Sequence, residues 1–263
     1  MRFSQTLATI AAEGSGLSAV VGEDWSQGRA VYGGLVAALG NEAMRRLVPT
    51  DRPLRCLETV FAGPLPPGKV TMQVELLRVG KVVSIAAARL YGNGELASTV
   101  TGIYGADREV LKHIVPTPQG GVPKPHEIPE PRPFLAGAPA FLRHFQQKFA
   151  EGGLPASNLS TGCSKVYLRH LDEAPFSESH AVALFDCIPP PILQTMPHFV
   201  PASSLTWTLE FIRHDYSFPT DAWWRMDTEV KGAGDGYSQE QSLVLDPNGQ
   251  PAAFSRQLVA VFG

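Results

Sequence analysis

Cysteine is scarce in this 263-residue sequence: Cys56, Cys163 and Cys187 are dispersed, odd in number and without C-x-x-C spacing. That pattern excludes a disulfide framework and a zinc knuckle and points to a reducing compartment, here read as the cytoplasm. No long Lys/Arg run is present and the formal net charge is -3, so the electrostatic footprint of a nucleic-acid binder is missing. No run of about 18 apolar residues occurs, and no membrane span is expected. The opening MRFSQTLATIAAEGSG is broken by Gln, Thr and Glu before an apolar core of secretory length can form, which argues against a signal peptide. His113, His126, His144, His170, His180, His198 and His214 stand apart without H-x-x-x-H or H-x-H spacing, so no metal is expected. His214 has Asp215 beside it, but neighbours on a strand point to opposite faces.

What the sequence does contain is enough apolar residue, 44% against 18% charged, to bury a large core or two domains of ordinary size. Eight prolines in the 25 residues 115–139 prevent a regular helix or central strand and mark a connector. Before it, 31–48 carries apolar residues at helical spacing after a double glycine. Four segments rich in β-branched residues follow, at 54–63, 69–79, 81–92 and 95–105, separated by Pro-Gly, Val-Gly-Lys and Gly-Asn-Gly turn signals. The order recurs after the connector: a strand near 163–171, a helix-like stretch at 179–196 broken or bent by Pro189, Pro190 and Pro191, then strands near 204–213, 222–231, 236–246 and 252–262. Gly94-Glu-Leu-Ala-Ser and Gly249-Gln-Pro-Ala-Ala open the last strand of each half, and Phe61 and Phe211 close the corresponding earlier strands. The reading is an α+β protein of two long helices, each wrapped by an antiparallel β-sheet, with the sheets joined edge to edge. Its domains are 1–110, a proline-rich linker at 111–158, and 159–263.

Three motifs in order carry a resemblance. Trp25-Ser-x-Gly-Arg-x-x-Tyr-Gly-Gly-Leu-Val-Ala-Ala, Glu75-Leu-Leu-Arg-Val-Gly-Lys-x-x-Ser and Asp246-Pro-Asn-Gly-Gln-Pro-Ala-Ala-Phe-Ser-Arg-Gln257 resemble the acyl-CoA thioesterase II and thioesterase-like family. The resemblance implies a double-hotdog fold, a homo-oligomer, an acyl-CoA substrate, and hydrolysis without metal, nucleotide or covalent cofactor. It also implies an Asp, a Thr or Ser, and a Gln in the C-terminal half that orient a water. Matched onto this sequence, the Gln is Gln257, the Asp position falls on Thr206, and the hydroxyl position falls at 231–234, where none is present.

Thr206 has a hydroxyl that can position water but cannot serve as a base at neutral pH, so Asp227, Glu229 and Asp235 stand as substitutes. Tyr32, Gly33 and Gly34 are the candidate substrate-binding residues, because free N–H groups at the start of a helix can hold a thioester oxygen; the alternative is that the glycines allow close packing. Asn41, on the same helix, could orient water or be a polar position of the helix surface. Gln257, on an apolar strand, either holds the water or makes a structural hydrogen bond. Trp207, Trp223, Trp224, Phe211 and Phe218 form core, interface or the wall of an acyl tunnel. Three functions follow: acyl-CoA hydrolysis, with Gln257, Thr206 and Asn41 as catalytic residues; acyl-CoA binding by a protein that lacks the general base; or a purely structural oligomeric scaffold, which gives no account of the Tyr32-Gly33-Gly34 entry.

Overall fold

The computed structural model describes residues 1–130 and 137–262; the part of the proline-rich linker at 131–136 lies outside the described residues. The first half contains α1 (Phe3–Ala8), β1 (Ala11–Glu13), β2 (Gly16–Val21), the small β3 (Ser26–Gln27) and β4 (Ala30–Val31) pair, α2 (Gly33–Arg45), β5 (Leu54–Phe61), β6 (Gly68–Val79), β7 (Val83–Gly92) and β8 (Glu95–Gly105). The second contains β9 (Phe145–Glu151), β10 (Cys163–His170), α3 (Glu178–Leu184), β11 (Ala202–Phe211), β12 (Trp224–Gly234), β13 (Tyr237–Leu245) and β14 (Pro251–Val261).

Twelve of these strands form one antiparallel sheet in the order β1-β2-β6-β7-β8-β5-β11-β14-β13-β12-β10-β9. The order reads the same outward from the β5·β11 seam in both directions, so the repeat in the sequence becomes a pseudo-twofold in the sheet. At the seam Leu57 pairs with Leu209 and Glu58 with Thr208. Asn93 and Gly94, and Asp235 and Gly236, all have positive φ, the geometry of the tight turns that match strand twist.

α2 sits at the centre because it is apolar or small all round: every residue from Gly34 to Asn41 is buried, the pattern of a helix with no solvent face. Gly40 lets it approach β8, since a Cβ there would lie 2.8 Å from Val100. α2 and α3 pack antiparallel. Tyr32, at the start of α2, donates from its hydroxyl to the carbonyl of Ala183 near the end of α3, and Arg45, at the end of α2, pairs with Glu178 at the start of α3.

Two expectations change. The helices are not both long: α2 has 13 residues and α3 has 7. Proline cannot continue a helix, and the run at Pro189, Pro190 and Pro191 leads instead into a 3-10 turn, Pro191–Thr195. The sheet also resumes at β9, inside the stretch read as linker, where Phe145 and Lys148 are buried against the neighbouring elements. Between Gly105 and Phe145 the described residues hold only short 3-10 turns, Pro125–Glu127 and Ala140–His144.

Candidate active site

The short α3 decides where the site forms. Its helical turns end at Leu184, and two residues on, Asp186 lies at the first turn of α2, so close that a Cβ on Gly33 would sit 2.9 Å from its Oδ2. Gly34 is needed for the same approach, because a Cβ there would lie 2.7 Å from the Ala183 carbonyl oxygen. The glycine pair therefore both packs the helices together and opens the helix N-terminus toward a carboxylate.

Gln257 reaches the same carboxylate from β14: its Nε2 donates to Asp186 Oδ1 at 2.7 Å. Its Oε1 accepts from the Ser204 hydroxyl on β11, also at 2.7 Å. Ser204 thereby fixes which way the amide points, leaving the NH2 for Asp186. A β-bulge makes this possible. Trp207 pairs with Gln257 and Ser204 with Val259, with the register shift falling between Ser204 and Thr206. Gln257 and Val259 share a face of β14, so the extra residue puts Ser204 on the face of Trp207 and Gln257, which strict alternation would deny it.

Asp186 keeps partial solvent access, yet protein surrounds its carboxyl, and this desolvation pushes its pKa up to about 7. The Gln257 amide and the Gly34 N–H oppose the rise by favouring the charged form. The result is a carboxyl poised near neutrality and backed by an oriented amide, next to the positive end of a helix. That set can take a proton from a water and hold developing charge on an oxygen. Among the described residues no group of three His, Cys, Asp or Glu side chains is arranged to hold a metal ion.

The family model for the acyl-CoA thioesterase C-terminal domain matches residues 118–261 and that for the N-terminal domain matches residues 21–105. The chain belongs to the acyl-CoA thioesterase family. No curated protein matches the sequence. Among solved structures, a protein of unknown function with a hot dog fold from Alicyclobacillus acidocaldarius is similar at 20% identity and TM-score 0.87, over 99% of this chain and 98% of that one. An acyl-CoA thioesterase II from Mycobacterium marinum is similar at 16% identity and TM-score 0.74, over 98% of each. These likenesses show that the fold is the hot dog fold, here in two copies.

Within this family fold, the residues singled out in the sequence go to different places. Gln257, Gly33 and Gly34 come together around Asp186. Tyr32 is buried, its hydroxyl bonded to Ala183 and its ring stacked on Phe141 at 4.1 Å; it pins the helix pair rather than facing an opening. Thr206 is exposed and lies on the outer face, opposite Val60 and Leu258. Asn41 is eight residues past Gly33, about 12 Å along the helix, and spends its amide on Glu178, Ser179 and Tyr104. Asp227 is held by Arg225 and Glu229 by Lys231, while Asp235 occupies a turn. Trp207 and Trp224 are core residues, with the Trp207 indole donating to Ser255, and Trp223 lies under Arg169.

Sequence reasoning missed Asp186 and Ser204. Asp186 had one usable signal, a lone carboxylate in the apolar run Ala-Val-Ala-Leu-Phe-Asp-Cys-Ile-Pro, where an unpaired charge is costly. Ser204 had none, because its face depends on the bulge.

Proposed function

We propose that the protein hydrolyses acyl-CoA thioesters to the free acid and CoA, with Asp186, Gln257 and Ser204 as the groups that activate the water. The observation that carries this reading is the 2.7 Å bond from Gln257 Nε2 to a carboxyl whose pKa is raised to about 7. In the proposed step the thioester carbonyl oxygen lies at the N-terminus of α2, against the Gly33 N–H. A water held by Asp186 and the Gln257 amide attacks the carbonyl carbon while Asp186 takes its proton. The carbon–sulfur bond then breaks, CoA leaves as the thiolate, and the proton on Asp186 is available to it. Ser204 acts through Gln257 as a positioning residue.

The binding-only alternative rests on the loss of the family's Asp at Thr206; the Asp186 carboxyl bonded to Gln257 supports hydrolysis instead. The test is thiol release from a panel of short, medium, long and aromatic acyl-CoAs by the native protein and by Asp186→Asn. Turnover that falls by a factor of about 100 or more in the variant is the expected result for loss of a general base. No turnover of any member by native protein, together with acyl-CoA-dependent thermal stabilisation, would make it a binder.

A further inference from the structure

The two carboxyl oxygens of Asp186 meet different surroundings. Oδ1 accepts from Gln257 Nε2. Oδ2 lies at the start of α2, where the place a Cβ on Gly33 would take is 2.9 Å from Oδ2, 3.0 Å from Phe61 Cζ and 3.3 Å from Phe61 Cε1. A carboxyl oxygen and the edge of a phenyl ring therefore border one spot at the helix start, at most about 6 Å from each other.

β5 fixes the ring in this place. Phe61 is the last residue of that strand, opposite Ser98 of β8, and alternation puts its side chain on the inner face with the buried Leu57 and Thr59. The chain beyond it is tied down too, because the Ala62 and Gly63 N–H groups both donate to the Ala97 carbonyl. Its counterpart in the other half goes elsewhere: Phe211, which closes β11, packs near Phe185 and His214, with ring centres 6.4 and 6.3 Å away. Phe61 is half-buried and ends at the carboxyl instead.

A phenyl edge gives a carboxylate no hydrogen bond and displaces water that would. The groups that favour the charged form of Asp186 are the Gln257 amide and the Gly34 N–H. Its titratable neighbours, Tyr32 and Cys187, are pushed up by burial, so they stay neutral near pH 7 and supply no charge to offset the lost water. Ser204 acts on the carboxyl only through Gln257. The desolvation that dominates at Asp186 thus depends on its apolar walls, and Phe61 is a wall beside Oδ2.

We propose that Phe61 is a positioning residue for the hydrolysis: its ring keeps bulk water off Oδ2 of Asp186 and leaves that oxygen as the proton acceptor. The proposal rests on the thioesterase reading. In the step, an O–H bond of the attacking water breaks, the proton goes to Oδ2, and the water oxygen bonds the thioester carbonyl carbon held against the Gly33 N–H. Oδ1 stays with Gln257, so the amide keeps the carboxyl oriented throughout. Without the ring, bulk water solvates the charged form and the carboxyl becomes a weaker base.

The experiment titrates the Asp186 carboxyl carbon by NMR in the native protein, Phe61→Leu and Phe61→Ala, with the resonance assigned by its loss in Asp186→Asn. The pH dependence of kcat/KM for an acyl-CoA panel is measured in the same proteins. Phe61→Ala is expected to lower the midpoint in both readouts by about one pH unit, while Phe61→Leu, which keeps apolar bulk, stays near native. Where circular dichroism shows Phe61→Ala unfolded, Phe61→Val replaces it, with a shift in the same direction. A midpoint unchanged in the folded truncation overturns the proposal even if the rate falls, because lost packing alone lowers a rate without moving the titration. If native protein hydrolyses no thioester, the thioesterase reading fails and the catalytic step with it, while the NMR midpoint still decides whether Phe61 shields Asp186.

Discussion

Asn41 in the first half is the counterpart of Asp186 in the second. The same sequence offset that carries Asn41 to Asp186 carries Gly34 to Ser179, so each residue meets the start of the opposite helix. Asn41 bonds Ser179 as Asp186 faces Gly34. Tyr104, from the last strand of the first half, donates to Asn41 where Gln257, from the last strand of the second, donates to Asp186. The Tyr104 ring also fills the space where a side chain on Gly102 would lie, within 2.6 Å of its Cβ position. One of two related places is thus filled by a fully bonded amide network tied to the Arg45–Glu178 ion pair, and the other holds a carboxyl whose pKa desolvation raises.

This asymmetry separates stability from activity. Asn41→Ala leaves Tyr104 and Ser179 short of a partner in the core, a change that costs about 1–3 kcal/mol for each buried group left unsatisfied. A lowered unfolding midpoint that outweighs any loss of kcat/KM is the expected outcome. A hundredfold loss of turnover at an unchanged midpoint would restore a catalytic role for Asn41.

For the site itself, Gln257→Ala is expected to reduce kcat/KM strongly and Ser204→Ala more mildly, about tenfold, because the serine acts only through the amide. The two losses should not add in the double variant, since both act on one hydrogen-bonded unit. Additive effects would show that Ser204 and Gln257 work separately. Thr206→Asp should produce no gain, because that position faces out of the sheet.

Gly33→Ala places a methyl 2.9 Å from Asp186 Oδ2 and 3.0 Å from the Phe61 ring. The carboxyl must shift, and the expected result is at least a tenfold drop in kcat with the protein still folded by circular dichroism. Native-like turnover would show that the carboxyl can move without consequence.

The pH profile follows from the raised carboxyl. The base form of Asp186 is needed, so kcat/KM is expected to rise through about pH 7 and level above it. Glu240 titrates in the same range, and Glu240→Gln distinguishes them by keeping the limb, which Asp186→Asn should abolish along with most of the rate. Stability runs the other way. Both groups have folded pKa values above the ordinary value near 4, so the native state favours their neutral forms. The stabilisation is complete below about pH 4 and is lost as pH rises through about 7. The unfolding midpoint of Asp186→Asn, measured between pH 4 and 8, should therefore decline less over that interval than the native one.

The elements fixed by local chemistry were legible without coordinates. Turn residues at Asn93-Gly94 and Asp235-Gly236 demand positive φ, alternating β-branched runs demand strands, and the apolar run Gly34–Leu39 demands a central helix, so the duplicated order could be read from the sequence, as could Gln257, one of the residues proposed for the site. What only the tertiary structure decided was which side chains meet. Asp186 joins Gln257 because a short α3 ends against the glycines of α2, and Ser204 joins them because a bulge inverts the face of one strand end. Neither event leaves a period or a motif in the sequence. Both arise from the packing of segments distant in the chain, and a shift of one residue in register exchanges the two faces of a strand.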